Sequence, residues 1–136
     1  MKRRDFLILA GAAGLAPLTA SASPEIAYSE GVVDEALARG EVVFVDFYAP
    51  WCGTCKAQDR VIEALKAENP AYEDKITFVK VDWDTYKNAP ITVMNNIPRR
   101  STLIVLKGDE ELGRVVAGTS RAAIKQLLDT ALAAAG

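Results

Sequence analysis

The chain of 136 residues contains no histidine, only two cysteines, and only two methionines, one of which is Met1. Histidine is the side chain whose ordinary pKa lies nearest neutrality and is the commonest metal ligand. Its absence excludes histidine base catalysis and most metal sites. A basic excess is also missing. Sixteen Lys and Arg stand against 18 Asp and Glu, a net charge of −2, which argues against nucleic-acid binding. There is no internal repeat, no low-complexity tract and no long block of like charge. The mostly apolar stretch from Phe6 to Leu18 is too short, and too interrupted by Gly11, Gly14 and Pro17, to span a bilayer comfortably. What remains is an ordinary globular composition, 50% hydrophobic and 25% charged, at a length that suits one domain with a sizeable core.

The first 22 residues read as a targeting segment. Lys2-Arg3-Arg4 is a basic start, Phe6–Leu18 an apolar middle, and Ala20-Ser21-Ala22 a small-residue cleavage site. A buried N-terminal helix or a membrane anchor is the competing reading. Arg3-Arg4-Asp5-Phe6-Leu7 resembles a twin-arginine export signal, with an ordinary secretory signal as the alternative. No cysteine lies near the cleavage site, which argues against a lipid-anchored form. Either export route implies a bacterial envelope, so the expected location is the periplasm, where disulfides persist. Cleavage after Ala22 removes Lys2, Arg3, Arg4 and Asp5. It leaves 13 basic and 17 acidic residues, net −4, in one domain over 23–136.

Both cysteines fall in Trp51-Cys52-Gly53-Thr54-Cys55, between the apolar run Val42–Tyr48 and a helical pattern. A cysteine pair at i, i+3 on a strand-to-helix junction can close a reversible disulfide. Backbone N–H groups and the partial positive charge of the helix N-terminus then favour thiolate at Cys52, expected to be exposed there. Thiolate is the attacking species in disulfide exchange. A purely structural disulfide is the competing reading, and so short a loop would remove little chain entropy.

Around this motif the pattern predicts a helix over about Glu30–Ala38, capped by Ser29 and ended by Gly40. Val42–Tyr48 reads as a central strand, apolar on both faces except at Asp46. A helix follows from Cys52 to about Glu68, with Ala57, Val61, Ala64 and Leu65 at helical spacing, ended by Asn69-Pro70. Ile76–Val81 reads as a second buried strand, and Lys87–Asn95 as weakly helical, broken by Pro90. Thr102–Leu106 and Glu111–Ala117 read as a hairpin about Gly108-Asp109. Last comes a helix capped by Thr119 or Ser120, with Ile124, Leu127, Leu128, Ala131 and Leu132 on one face. This order fits an α/β fold, a mixed central sheet of about four strands flanked by helices on both faces.

From about Val33 to Leu132 these residues resemble the thioredoxin family. The most specific stretch is Val45-Asp46-Phe47-Tyr48-Ala49-Pro50-Trp51-Cys52-Gly53-Thr54-Cys55-Lys56, supported by Phe78–Asp82 and Thr102–Gly108. The resemblance implies the thioredoxin-like fold and thiol–disulfide oxidoreductase activity. Two features depart from it. The family usually carries a cis-proline immediately before the residue matched by Thr102. Ser101 stands there if the alignment is ungapped, whereas an insertion would keep Pro98 in that role. Thioredoxins proper also carry Gly-Pro between the cysteines, where this chain has Gly53-Thr54.

Cys52 is the candidate nucleophile and Cys55 the resolving thiol, one helical turn inward and more buried. Burial of Asp46 should raise its pKa and allow proton exchange near neutral pH. The resemblance places Asp46 beneath Cys55 as its proton partner, with Lys80 near the acid; a strand-end carboxylate merely paired to Lys80 is the alternative. Trp51 is expected to cover the disulfide and, with Gly53, Thr54, Arg100, Ser101 and Thr102, to meet the substrate; it could equally be a core tryptophan. Arg99 and Arg100 would add positive potential near Cys52 or form a solvated basic pair. No cofactor or resident metal is implied. The preferred function is reduction of client-protein disulfides by a monomer that draws electrons from a membrane donor. The alternatives are a disulfide-donating oxidase of the same fold, or a copper-binding module using the two thiolates.

Overall fold

The computed structural model describes residues 25–136. The expected leader, residues 1–22, and the start of the arm that follows it lie outside the described residues. The elements run β1 (Ile26–Ala27), α1 (Val32–Ala38), β2 (Val42–Tyr48), α2 (Gly53–Glu68), α3 (Ala71–Lys75), β3 (Ile76–Asp82), α4 (Trp83–Tyr86), α5 (Pro90–Val93), β4 (Thr102–Lys107), β5 (Glu110–Val116) and α6 (Arg121–Ala135). The sheet has five strands in the order β1-β3-β2-β4-β5. The first two pairings, β1 with β3 and β3 with β2, are parallel; β4 runs antiparallel to both β2 and β5. The fifth strand is β1, only two residues long, too brief to leave a periodic signal.

Strand β2 explains the layering. Residues 42–47 are all buried, and their alternation sends Val42 and Phe44 to one face and Val43, Val45 and Phe47 to the other. The first face packs against Ile62 and Leu65 of α2, Tyr72 of α3, and Ile124, Leu127 and Leu128 of α6. The second packs against Val33 and Ala36 of α1 and against Ile97. By the same alternation, Asp46 points to the face that α2 covers. Ser120 Oγ accepts from Ala123 N–H and caps α6, as one of the two expected caps.

Local chemistry moves several boundaries. Gly31, at φ +90, precedes α1 in place of a Ser29 side-chain cap. Pro70 begins α3 as well as ending α2, because a proline costs nothing at a helix start. Pro90 likewise opens α5 rather than breaking a longer helix. The buried face of α2 is Cys55, Gln58, Ile62, Leu65 and Lys66, so Ala64, expected inward, is exposed. Lys66 is covered by Phe78, 4.0 Å from its ring centroid, and by Glu25, Glu63 and Glu73 at 3.4–3.7 Å. Among the described residues no helix is long and apolar enough to cross a membrane.

Leu128 is fully buried between α6 and the sheet, whereas Leu132 on the same helix is only partly buried. Leu128→Ala should lower the unfolding free energy by about 2–5 kcal/mol, and Leu132→Ala by clearly less. Urea unfolding midpoints check both, and equal losses would refute this seating of α6.

Candidate active site

The end of β2 delivers the chain through Tyr48 and Ala49 to Cys52, which is the N-cap of α2 in extended backbone conformation. Cys52 and Cys55 form a disulfide. The Cys55 N–H donates to Cys52 Sγ at 3.1 Å, so an orphan amide of the first helical turn points at that sulfur. The expectation of an exposed Cys52 is corrected. Cys52 and Cys55 are 3% and 2% exposed, packed with Ala49, Tyr48 and Trp83.

The segment before β4 lies against the disulfide because Thr102 pairs with Phe47 at the end of β2. Ser101 donates its N–H to Phe47 O at 2.7 Å. Its carbonyl accepts from Ala117 N–H at 2.8 Å and from Gln58 Nε2 at 3.0 Å. Its Oγ lies 3.2 Å from Cys52 Sγ and 3.1 Å from Cys55 Sγ. Ser101 therefore occupies the place beside the sulfurs that the ungapped alignment gives it, with φ +64. Pro98 is exposed, and no peptide bond is cis among the described residues. Ser101 and Thr102 were expected to meet substrate, and both are fully buried. Thr102 Oγ1 donates to Arg99 O at 2.7 Å, so its hydroxyl is consumed inside the loop. The Ser101 hydroxyl faces the sulfurs instead of solvent.

Trp51 is not a core tryptophan. It is 59% exposed, and its Nε1 donates to Asp84 Oδ2 at 2.8 Å. The Arg100 guanidinium stacks 4.5 Å from its ring centroid. Gly53 is exposed and Thr54 half-buried. Trp51, Arg100, Gly53 and Thr54 thus form a rim with solvent access, while Trp83, not singled out in the sequence, packs against the cysteines.

Asp46 is 4% exposed, and its Oδ1 has no hydrogen-bond partner. Burial pushes its carboxyl well above the usual carboxylate range, the Asp59 carboxylate pushes it further, and Lys80 only partly opposes them. Lys80 is Asp46's partner in the β2–β3 register, and its Nζ donates to Asp59 Oδ2 at 3.0 Å. Burial alone would lower the Lys80 pKa, but the fields of Asp46 and Asp59 outweigh it and leave it raised. Asp59 and Gln58 escaped the sequence reading. Their signal was present, since i+4 and i+3 from Cys55 put both beside it on α2. Among the described residues no three His, Cys, Asp or Glu side chains converge as metal ligands.

The thioredoxin family model matches residues 26–130. The chain belongs to the thioredoxin family. Thioredoxin-1 of Saccharomyces cerevisiae is 36% identical over 95 residues, covering 70% of this chain and 85% of that protein. Thioredoxin-2 of the same yeast is 40% identical over 96 residues, covering 70% and 86%. Among solved structures, Trxlp from Edwardsiella tarda superposes with a TM-score of 0.68 at 34% identity, covering 77% of this chain and 98% of that one. This thioredoxin-family protein is accordingly a thiol–disulfide oxidoreductase with a Cys52–Cys55 pair, in a family that acts on protein disulfides.

The raised pKa of Asp46 fixes the sign of a pH effect. The folded state holds the proton more tightly than the unfolded chain. Stability is therefore lost as pH rises from the unfolded carboxyl pKa, about 3.9, through the folded value. Asp46→Asn should be more stable than the parent by about 1–3 kcal/mol above neutrality, with the gain shrinking toward pH 5. Denaturant titrations across that range check it, and a pH-independent difference would contradict a buried, protonatable Asp46.

Proposed function

We propose that this protein is a periplasmic reductase of client-protein disulfides, working as a monomer through its Cys-Gly-Thr-Cys pair and recharged by a membrane electron donor. One observation carries the catalytic part. The disulfide closes at the N-terminus of α2, while a buried, proton-binding carboxyl sits on the sheet face that α2 covers. The basic-then-apolar leader with its Ala20-Ser21-Ala22 site supports export. The direction rests on the compact chain and on relatives named thioredoxin. An oxidising periplasm then requires an external electron source.

In this reading the Cys52 thiolate attacks a client disulfide. A Cys52–client bond forms, the client S–S bond breaks, and one client sulfur leaves as thiolate and takes a proton. Cys55 gives its proton to the Asp46 carboxylate and attacks Cys52 Sγ. The Cys52–Cys55 disulfide forms, and the second client sulfur departs. The client gains two electrons and the pair loses two. Asp59, half-buried and joined to Lys80, offers the Asp46 proton a way toward solvent. Trp51 and Arg100 supply the docking rim, an aromatic face with a planar cation stacked on it.

Equilibration of the mature chain with glutathione tests the direction. A potential near about −270 mV supports a reductase, whereas about −120 mV would make the chain a disulfide donor and overturn that direction. Cys55→Ser should accumulate a covalent adduct between Cys52 and client, seen on non-reducing gels, and Cys52→Ser should show neither adduct nor turnover. Trp51→Ala should raise KM for a protein disulfide about tenfold with kcat little changed. In cell fractions the protein should be periplasmic, with a mass beginning at Ser23; a cytoplasmic chain retaining Met1–Ala22 would refute export.

A further inference from the structure

Two backbone hydrogen bonds and one from the Gln58 side chain hold the backbone of Ser101, and the residue is fully buried. Its hydroxyl is wedged against both sulfurs at almost equal distances, 3.2 Å from Cys52 and 3.1 Å from Cys55. A hydroxyl carries one proton to give and lone pairs to receive. Against a disulfide it is poorly served, because neither sulfur has a proton and both are weak acceptors. After reduction to one thiolate and one thiol, both of its capacities find a partner at once.

We propose that Ser101 is a further catalytic group of the redox pair: in the dithiol state its hydroxyl donates a hydrogen bond to the Cys52 thiolate and accepts one from the Cys55 thiol, favouring the reduced form. The proposal rests on the oxidoreductase reading above. In the step concerned, two thiols of glutathione or of a client become a disulfide and deliver two electrons, and the Cys52–Cys55 bond breaks. One proton remains on Cys55 and the other goes to solvent, leaving Cys52 as thiolate. A hydrogen bond to an ionised acceptor is about twice as strong as a neutral one, so the hydroxyl binds the product of this step better than its reactant. Gln58 is its positioning residue. Gln58 Nε2 bridges the carbonyls of Ser101 and Gly118, at 3.0 and 2.9 Å, and so fixes the hydroxyl before any electron arrives.

Two variants separate the hydroxyl from the backbone. Ser101→Ala removes the hydroxyl and keeps a Cβ at φ +64; Ser101→Gly removes it and relieves that conformation. In glutathione equilibration both should shift the constant about tenfold toward the disulfide form, about 30 mV more negative for a two-electron couple. In both, the Cys52 thiolate should also titrate at higher pH, followed by ultraviolet absorbance of the reduced protein. Potentials equal to the parent's in both variants would overturn the proposal, and so would a shift in Ala that Gly does not share. Failure of the parent itself to exchange with both glutathione and a protein dithiol would instead overturn the oxidoreductase reading, and this proposal with it.

Discussion

Strand β2 is paired along both edges, with β3 on one side and β4 on the other, and residues 42–47 are buried beneath helices on both faces. A strand so enclosed cannot shift by one residue without sending Val43, Val45 and Phe47 to the opposite core and Asp46 out of its own. The same register brings Thr102 opposite Phe47 and sets Ser101 against the sulfurs, and it brings Lys80 beside Asp46. The redox pair, its hydroxyl neighbour and its buried acid all take their positions from this one strand. The geometry around the cysteines is therefore tied to the register of the core.

Lys66 and Asp46 both lie deep in the protein and are treated in opposite ways. Lys66 has three carboxylates within 4 Å and an aromatic face under its ammonium, partners that offset the burial of its side chain. Asp46 has a carboxylate, Asp59, for a neighbour, a lysine whose nearest contact is that same Asp59, and an oxygen without a hydrogen bond. The first arrangement joins α2, α3 and the N-terminal arm. The second leaves the Asp46 carboxyl with a raised affinity for a proton. Unsatisfied burial of this kind is expensive, and it concentrates where function needs it.

Strong periodicity made most of the fold legible. Val42–Tyr48, Ile76–Val81, the hairpin and the face of α6 each stand within about a residue of their observed limits. The Cys52–Cys55 pair and the buried carboxyl of Asp46 were readable too. The misreadings have physical causes. The inward face of α2 carries Gln58 and Lys66, polar residues that bond to groups outside the helix, so a hydrophobicity pattern placed Ala64 inward instead. The partners that hold Trp51 at the rim, Asp84 and Arg100, come from two other segments that no local pattern could name. Cys52 was expected in solvent because a helix N-terminus usually ends there, but the 97–102 segment folds over it. Most of these errors concern contacts between residues more than 30 positions apart.

The enclosure of both cysteines separates two properties that reactive thiols usually share. How far the pair runs toward dithiol at equilibrium depends on the relative energies of its two states, and burial leaves that comparison intact. How quickly it gets there depends on whether an attacking sulfur can line up with Cys52, of which 3% is exposed. A freely diffusing small thiol gains little from meeting such a surface. A folded client that spreads over the Trp51–Arg100 rim gains contact energy first, and can spend it on reaching the sulfur. On the proposed reading, client choice is exercised by speed, and small thiols in the surroundings react with the pair more slowly than a docked client does.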